Sequence, residues 1–178
     1  FGLELKDLSE SLRGSEFQVF KSALEAGGVI KALTIPGGAN YSRKQQDELV
    51  ELAKHQGGKG LAFAKVASDG LEGGISKFLS ETESASIIKL CGARPGDLIA
   101  FAADSYDMVS KVLAAVRNTV AAAQKLIPEN TFAFAWVTDF PLFEATEHGV
   151  TSSHHPFTMP DRTDFDPENV DELLTLKS

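Results

Sequence analysis

Apolar residues recur along this chain at two periods, and the clearest is helical. From Ser105 to about Leu126, Met108, Val109, Val112, Leu113, Val116, Val120 and Ala123 fall on one stripe at a spacing of 3.6. The pattern predicts an amphipathic helix about 33 Å long at roughly 1.5 Å per residue. Three earlier segments carry a serine followed three residues later by Gln or Glu, ahead of apolar positions at helical spacing: Ser15 and Gln18, Ser42 and Gln45, Ser80 and Glu83. Each predicts a capping box, in which two side chains satisfy unpaired amides of a first turn. The first helix is expected to run to about Ala26 and the second to carry Leu49, Leu52 and Ala53 on one face. Gly27-Gly28, Gly57-Gly58 and Gly92 supply the stops.

Strand-like runs lie between these helices: Val29 to Ile35, Leu61 to Val66, a weaker piece around Gly74 to Phe78, and Leu98 to Ala103. Their order with the helices predicts a two-layer α+β domain of antiparallel sheet with helices between about 16 and 126. Beyond it, Phe132-Ala-Phe-Ala-Trp136-Val-Thr-Asp139 is apolar without alternation and predicts a buried strand, which Pro141 ends because it cannot donate to a ladder. The first dozen residues read as a strand lacking neighbours, and Pro167 to Leu174 as the start of a helix. Both ends are therefore expected to be parts of something larger.

Composition narrows the function classes. Residues 1 to 138 hold 16 acids against 15 Lys and Arg, and 139 to 178 hold 9 against 2, so the net charge of −8 belongs to the tail. Such a chain is poorly suited to broad phosphate neutralisation on nucleic acid. No apolar run of membrane-spanning length occurs, and neither a membrane span nor a secretory leader is expected. Cys91 stands alone in an apolar pattern and predicts a buried thiol, with a cytoplasmic setting the simplest expectation.

Histidines, carboxylates and aromatics meet in one region, from the Trp136 run to His154-His155-Pro156-Phe157-Thr158. Pro156 holds His155 extended, so the two imidazoles point to opposite faces. One is expected to be presented and the other buried. Asp139 at a strand tip could serve as a catalytic acid, but such an Asp more often caps a turn, and Glu144 reads the same way. Asp139, His154, His155 and Asp161 lack helical or hairpin ligand spacing for a metal. Pro36-Gly37-Gly38 and Gly73-Gly74 lack the endings of phosphate loops and read as turns. Lys31, Arg43, Lys44, Lys59 and Lys65 form either a local basic patch or ordinary solvated surface.

Trp136-Val-Thr-Asp139-Phe140-Pro141-Leu-Phe143-Glu144 followed by His154-His155-Pro156-Phe157-Thr158 resembles the bacterial aspartyl-tRNA synthetases. Upstream, Ser15-Glu-Phe17-Gln-Val-Phe20-Lys-Ser22 with Gly27-Gly28-Val29-Ile-Lys-Ala32 resembles the entry to that family's GAD insertion domain. The resemblance implies a DCoH-like insertion domain at 16–126 and class II catalytic-domain segments at 1–15 and 127–178. It implies a parent enzyme that activates L-aspartate with ATP and Mg2+, transfers it to tRNA and works as a homodimer. By the family pattern His154 contacts aspartate, with His155 a lesser candidate. The arginine motifs that grip ATP are not found here, so no catalytic, ATP-binding or metal residue is expected within the chain, and the segment is expected to be inactive alone. The alternative is a non-catalytic module of a tRNA-dependent amidotransferase, or a free-standing interaction domain.

Overall fold

The computed structural model describes residues 2–153 and 159–178. They form two compact units, Phe1–Pro128 and Glu129–Ser178. The first is built on an antiparallel sheet of five strands: β1 (Leu5–Asp7), β2 (Val29–Ile35), β3 (Ala62–Val66), β4 (Leu71–Glu72) and β5 (Leu98–Asp104). Their order is β1-β2-β5-β3-β4, with Ala32 opposite Phe101 and Phe101 opposite Ala62. Four helices complete the unit: α1 (Gln18–Glu25), α2 (Arg43–His55), α3 (Glu81–Cys91) and α4 (Tyr106–Ala123).

The helices cover both faces of the sheet, so the unit has three layers rather than the expected two. Alternation along β2 and β5 explains this. Leu33, Ile35, Leu98, Ala100 and Ala102 pack with Leu49 and Ala53 of α2 and with Val109, Val112, Leu113, Val116 and Val120 of α4. Ile30, Ala32, Ile99 and Phe101 point the other way and pack with Phe20 of α1 and Ile87 of α3. Central strands buried on both sides read as nearly continuous apolar runs, which is what Val29–Ile35 and Leu98–Asp104 are.

The opening segment also differs from expectation. Leu5, Lys6 and Asp7 pair antiparallel with Leu33, Ala32 and Lys31. Leu8 and Leu12 are fully buried, and Leu8 donates its amide to the Ile30 carbonyl at 2.8 Å. A three-residue edge strand leaves too little period to reveal a partner that arrives two dozen residues later. The weak strand at 74–78 is absent as well. Gly73 and Gly74 take φ of 64° and 52°, and a short 3₁₀ turn follows at Ser76–Phe78. A Cβ on Gly74 would lie 1.8 Å from the Phe63 carbonyl oxygen, so glycine is required where this turn seals the edge of β3.

Two of the three capping boxes form. Ser42 and Gln45 close one at the start of α2, and Ser80 and Glu83 close another at α3. The third does not: α1 starts beyond Phe17, whose amide donates to the Ser15 hydroxyl at 3.3 Å, while the Gln18 amide group turns down the helix to Ser22. Ser15 is instead buried. Ser42→Ala is therefore expected to cost about 1 kcal/mol in urea unfolding, whereas Gln18→Ala stays within about 0.5 kcal/mol. Equal losses at the two positions would contradict this assignment.

Candidate functional site

The second unit contains a hairpin, β6 (Phe143–Thr146) and β7 (Gly149–Ser152), and a one-turn helix, α5 (Val170–Leu173). Its small core is a clasp between the stretch before the hairpin and the chain end. Phe140 and Ser178 exchange backbone hydrogen bonds at 3.2 and 2.9 Å, and the Leu142 amide donates to Leu176 at 2.9 Å. Leu142 and Leu176 are buried there. The Asn169 side chain caps α5 by accepting from the Glu172 amide, and Arg162 reaches Glu172 at 3.4 Å.

His154, His155, Pro156, Phe157 and Thr158 lie outside the described residues. Their flanks are held by the same clasp. Ser153 donates its amide to Leu142 at 3.0 Å, Asp161 donates its amide to Lys177 at 2.7 Å, and the Asp161 carboxylate accepts from the Lys177 amide at 3.2 Å. The hairpin and the clasp thus deliver the chain to both ends of the histidine segment. The Ser153 hydroxyl is buried without a hydrogen-bond partner among the described residues. No sequence pattern singles that serine out.

The expected buried strand around Trp136 does not form. Residues 131–138 have no regular structure, and Phe134 and Trp136 are 95% and 96% exposed. Strands apolar on both faces need ladders beside them and layers above and below, and the hairpin and clasp of this unit supply neither. Asp139 adopts a left-handed φ of 56°, is exposed, and lies 4.0 Å from the Lys177 ammonium, so it stands at a turn. Glu144 is exposed on β6 opposite Thr151. Asp161 is committed to the clasp. Among the described residues no group of three His, Cys, Asp or Glu could hold a metal ion.

Four of the five cations expected to form either a local basic patch or solvated surface have partners of their own. Lys31 is buried on β2, donating to the Ser110 hydroxyl at 3.0 Å with its ammonium 3.5 Å from the centre of the Tyr106 ring. Arg43 and Lys44 pair with Asp47 and Glu48 along α2, and Lys59 pairs with Asp104 at 3.2 Å. Lys65 is exposed on β3 beside Glu72. Cys91 is buried as expected, and desolvation pushes its thiol from 9.0 up to about 11, against the opposing hydrogen bond of Thr34. It is a neutral core thiol at pH 7.

Helices on both faces of an antiparallel sheet define the first unit as a mixed α/β module, and residues 20–113 match the GAD domain family. The chain belongs to that family. Over nearly all its length it is also similar to bacterial ligases. It is 47% identical over 178 residues to the aspartate–tRNA ligase of Shouchella clausii, an alignment covering 96% of this chain and 30% of the relative. It is 45% identical over 174 residues to the aspartate–tRNA ligase of Exiguobacterium sibiricum, with the same shares of 96% and 30%. The aspartate–tRNA(Asp/Asn) ligase of Persephonella marina is 42% identical over 177 residues, covering 98% of this chain and 29% of the relative. The chain thus spans about 30% of the length of the curated relatives it matches.

Proposed function

We propose that the chain is a segment of an aspartate–tRNA ligase, a class II synthetase that activates L-aspartate with ATP and transfers it to tRNA. The observation that carries this reading is continuity: similarity to the ligases covers 96% of the chain, well beyond the GAD match at residues 20–113. An amidotransferase module would account for the GAD match but not for Trp136 to Thr158. Residues 127–178 are proposed to be catalytic-domain segment. The exposed Phe134 and Trp136 rings are then surface that the rest of that domain covers, since large aromatic side chains in water represent unrealised burial.

In this reading His154 contacts the substrate. An imidazole beside a carboxylate donates a hydrogen bond and gains positive charge, because the anion favours its protonated form. His155 is the lesser candidate for that contact, because consecutive side chains on an extended segment point to opposite faces. In this reading no described residue is assigned to ATP, to Mg2+ or to the steps that use them. Those steps fall to the remaining length of such a ligase, as does pairing into a homodimer. The buried lone thiol is compatible with a cytoplasmic setting, and no described helix is long and apolar enough to cross a membrane.

Aspartate-dependent exchange of pyrophosphate into ATP tests this proposal. An intact ligase carrying this 178-residue segment should support exchange with L-aspartate and not with L-glutamate, and the segment alone should support none. Exchange by the segment alone, or none by the intact protein, would overturn it.

A further inference from the structure

One cavity of the GAD module is electrostatically unlike its neighbours. It measures about 480 Å³ and lies where β1, the end of α3 and the α3–β5 loop meet, lined by Lys6, Lys89 and Arg94 against Glu4 and Asp97. In four other cavities of the unit, acidic side chains equal or outnumber Lys and Arg. Here both acids are already engaged. Glu4 is ion-paired with Lys6, whose hydrogen bond and charge hold its carboxyl below the usual range. Asp97 turns its two oxygens to the amides of Gly37 at 2.9 Å and Arg94 at 2.8 Å. Among the described residues Lys89 and Arg94 form no ion pair.

The cations stand on a fixed frame. Asp97 ties the Arg94 backbone to the loop at Gly37, and Val66 exchanges hydrogen bonds with Gly96 and Asp97 at 2.8 and 2.9 Å. The last carbonyls of α3 are occupied as well: Ile88 and Lys89 accept from Ala93 and Gly92, and Cys91 accepts from the Thr34 hydroxyl at 3.3 Å. Those carbonyls leave the Lys89 and Arg94 side chains unclaimed. The Cys91 thiol, neutral at pH 7, adds no negative charge to the lining.

We propose that this cavity binds a phosphate monoester of a small molecule, with the Arg94 guanidinium gripping two phosphate oxygens and Lys89 contributing a second positive charge. Guanidinium geometry matches a phosphate in bidentate fashion, and the volume falls within the usual range for small-molecule sites. The charge balance selects against RNA as occupant. Three cations against two acids leave a single positive excess, enough for one compact anion and too little for a run of phosphodiesters on a chain of net charge −8.

The test is an amide ¹⁵N titration of the 178-residue chain with glycerol 3-phosphate at constant ionic strength, with hexauridylate as comparison. Saturable shifts confined to Leu90 through Asp97 and β1 are expected, with the midpoint raised roughly tenfold in Arg94→Gln, as loss of one charge-assisted contact implies. Lys44→Gln, on another surface, should leave the midpoint unchanged. Shifts that do not saturate, an Arg94→Gln midpoint equal to that of the unsubstituted chain, or tighter binding of hexauridylate would each overturn the proposal.

Discussion

Phe101→Ala is expected to destabilise the unit Phe1–Pro128 by about 3–5 kcal/mol, the range for deleting a buried aromatic ring. Phe101 sits at the middle of the central strand, opposite Ala32 on β2 and Ala62 on β3, and is 1% exposed. Its ring lies 5.8 Å from that of Phe20, which in turn meets Phe17 edge to face at 4.9 Å. The cost should fall at the top of the range because the neighbours cannot collapse into the void. Alanines flank the position on both adjacent strands, and each is fixed by its ladder. Urea unfolding followed by far-ultraviolet circular dichroism measures this, since the sole tryptophan, Trp136, belongs to the other unit. A loss under about 1 kcal/mol would mean that the ring is not the centre of this core.

The helical parts of this unit are readable from sequence because their signals are local. The stripe from Met108 to Val120 is a property of a single helix, and Ser42 with Gln45 or Ser80 with Glu83 closes a box within four residues. Ser15 with Gln18 shows the limit of that signal. The same spacing is present, yet burial of Ser15 redirects its hydroxyl to the Phe17 amide and no box closes.

What the pattern does not carry is which surface meets which. Val29–Ile35 and Leu98–Asp104 are nearly continuous apolar runs, yet the two-layer expectation covered only one of their faces, and nothing local says that α1 and α3 take one face and α2 and α4 the other. The pairing of Leu5–Asp7 with β2 is hidden for a related reason, because its partner lies far along the chain. Trp136 marks the opposite failure. Its apolar neighbours predict burial, and among the described residues its unit offers only a two-stranded hairpin, which leaves the Trp136 ring exposed. The proposed aspartate contact rests on resemblance alone: the spacing of His154 and His155 allows many roles, and the described residues around them contribute a clasp rather than chemistry. The cavity of Lys89 and Arg94 had no sequence signal, since two scattered cations become neighbours only when α3 and its following loop are folded.

The second large effect concerns His154, on which the proposed link to aspartate rests. A charge-assisted hydrogen bond to a carboxylate contributes about 1.5–3 kcal/mol, and each 1.4 kcal/mol is about tenfold in affinity. Removing it acts on the amino acid and leaves the nucleotide untouched, because the imidazole is proposed to face only the former. His154→Gln keeps a donor without the charge and should lie between the two extremes. The deciding measurement is the pair of Michaelis constants for His154→Ala in an intact ligase carrying this segment. The aspartate KM should rise roughly 10- to 100-fold while the ATP KM changes less than about twofold. Equal changes in both constants, or no change in the aspartate KM, would contradict the account.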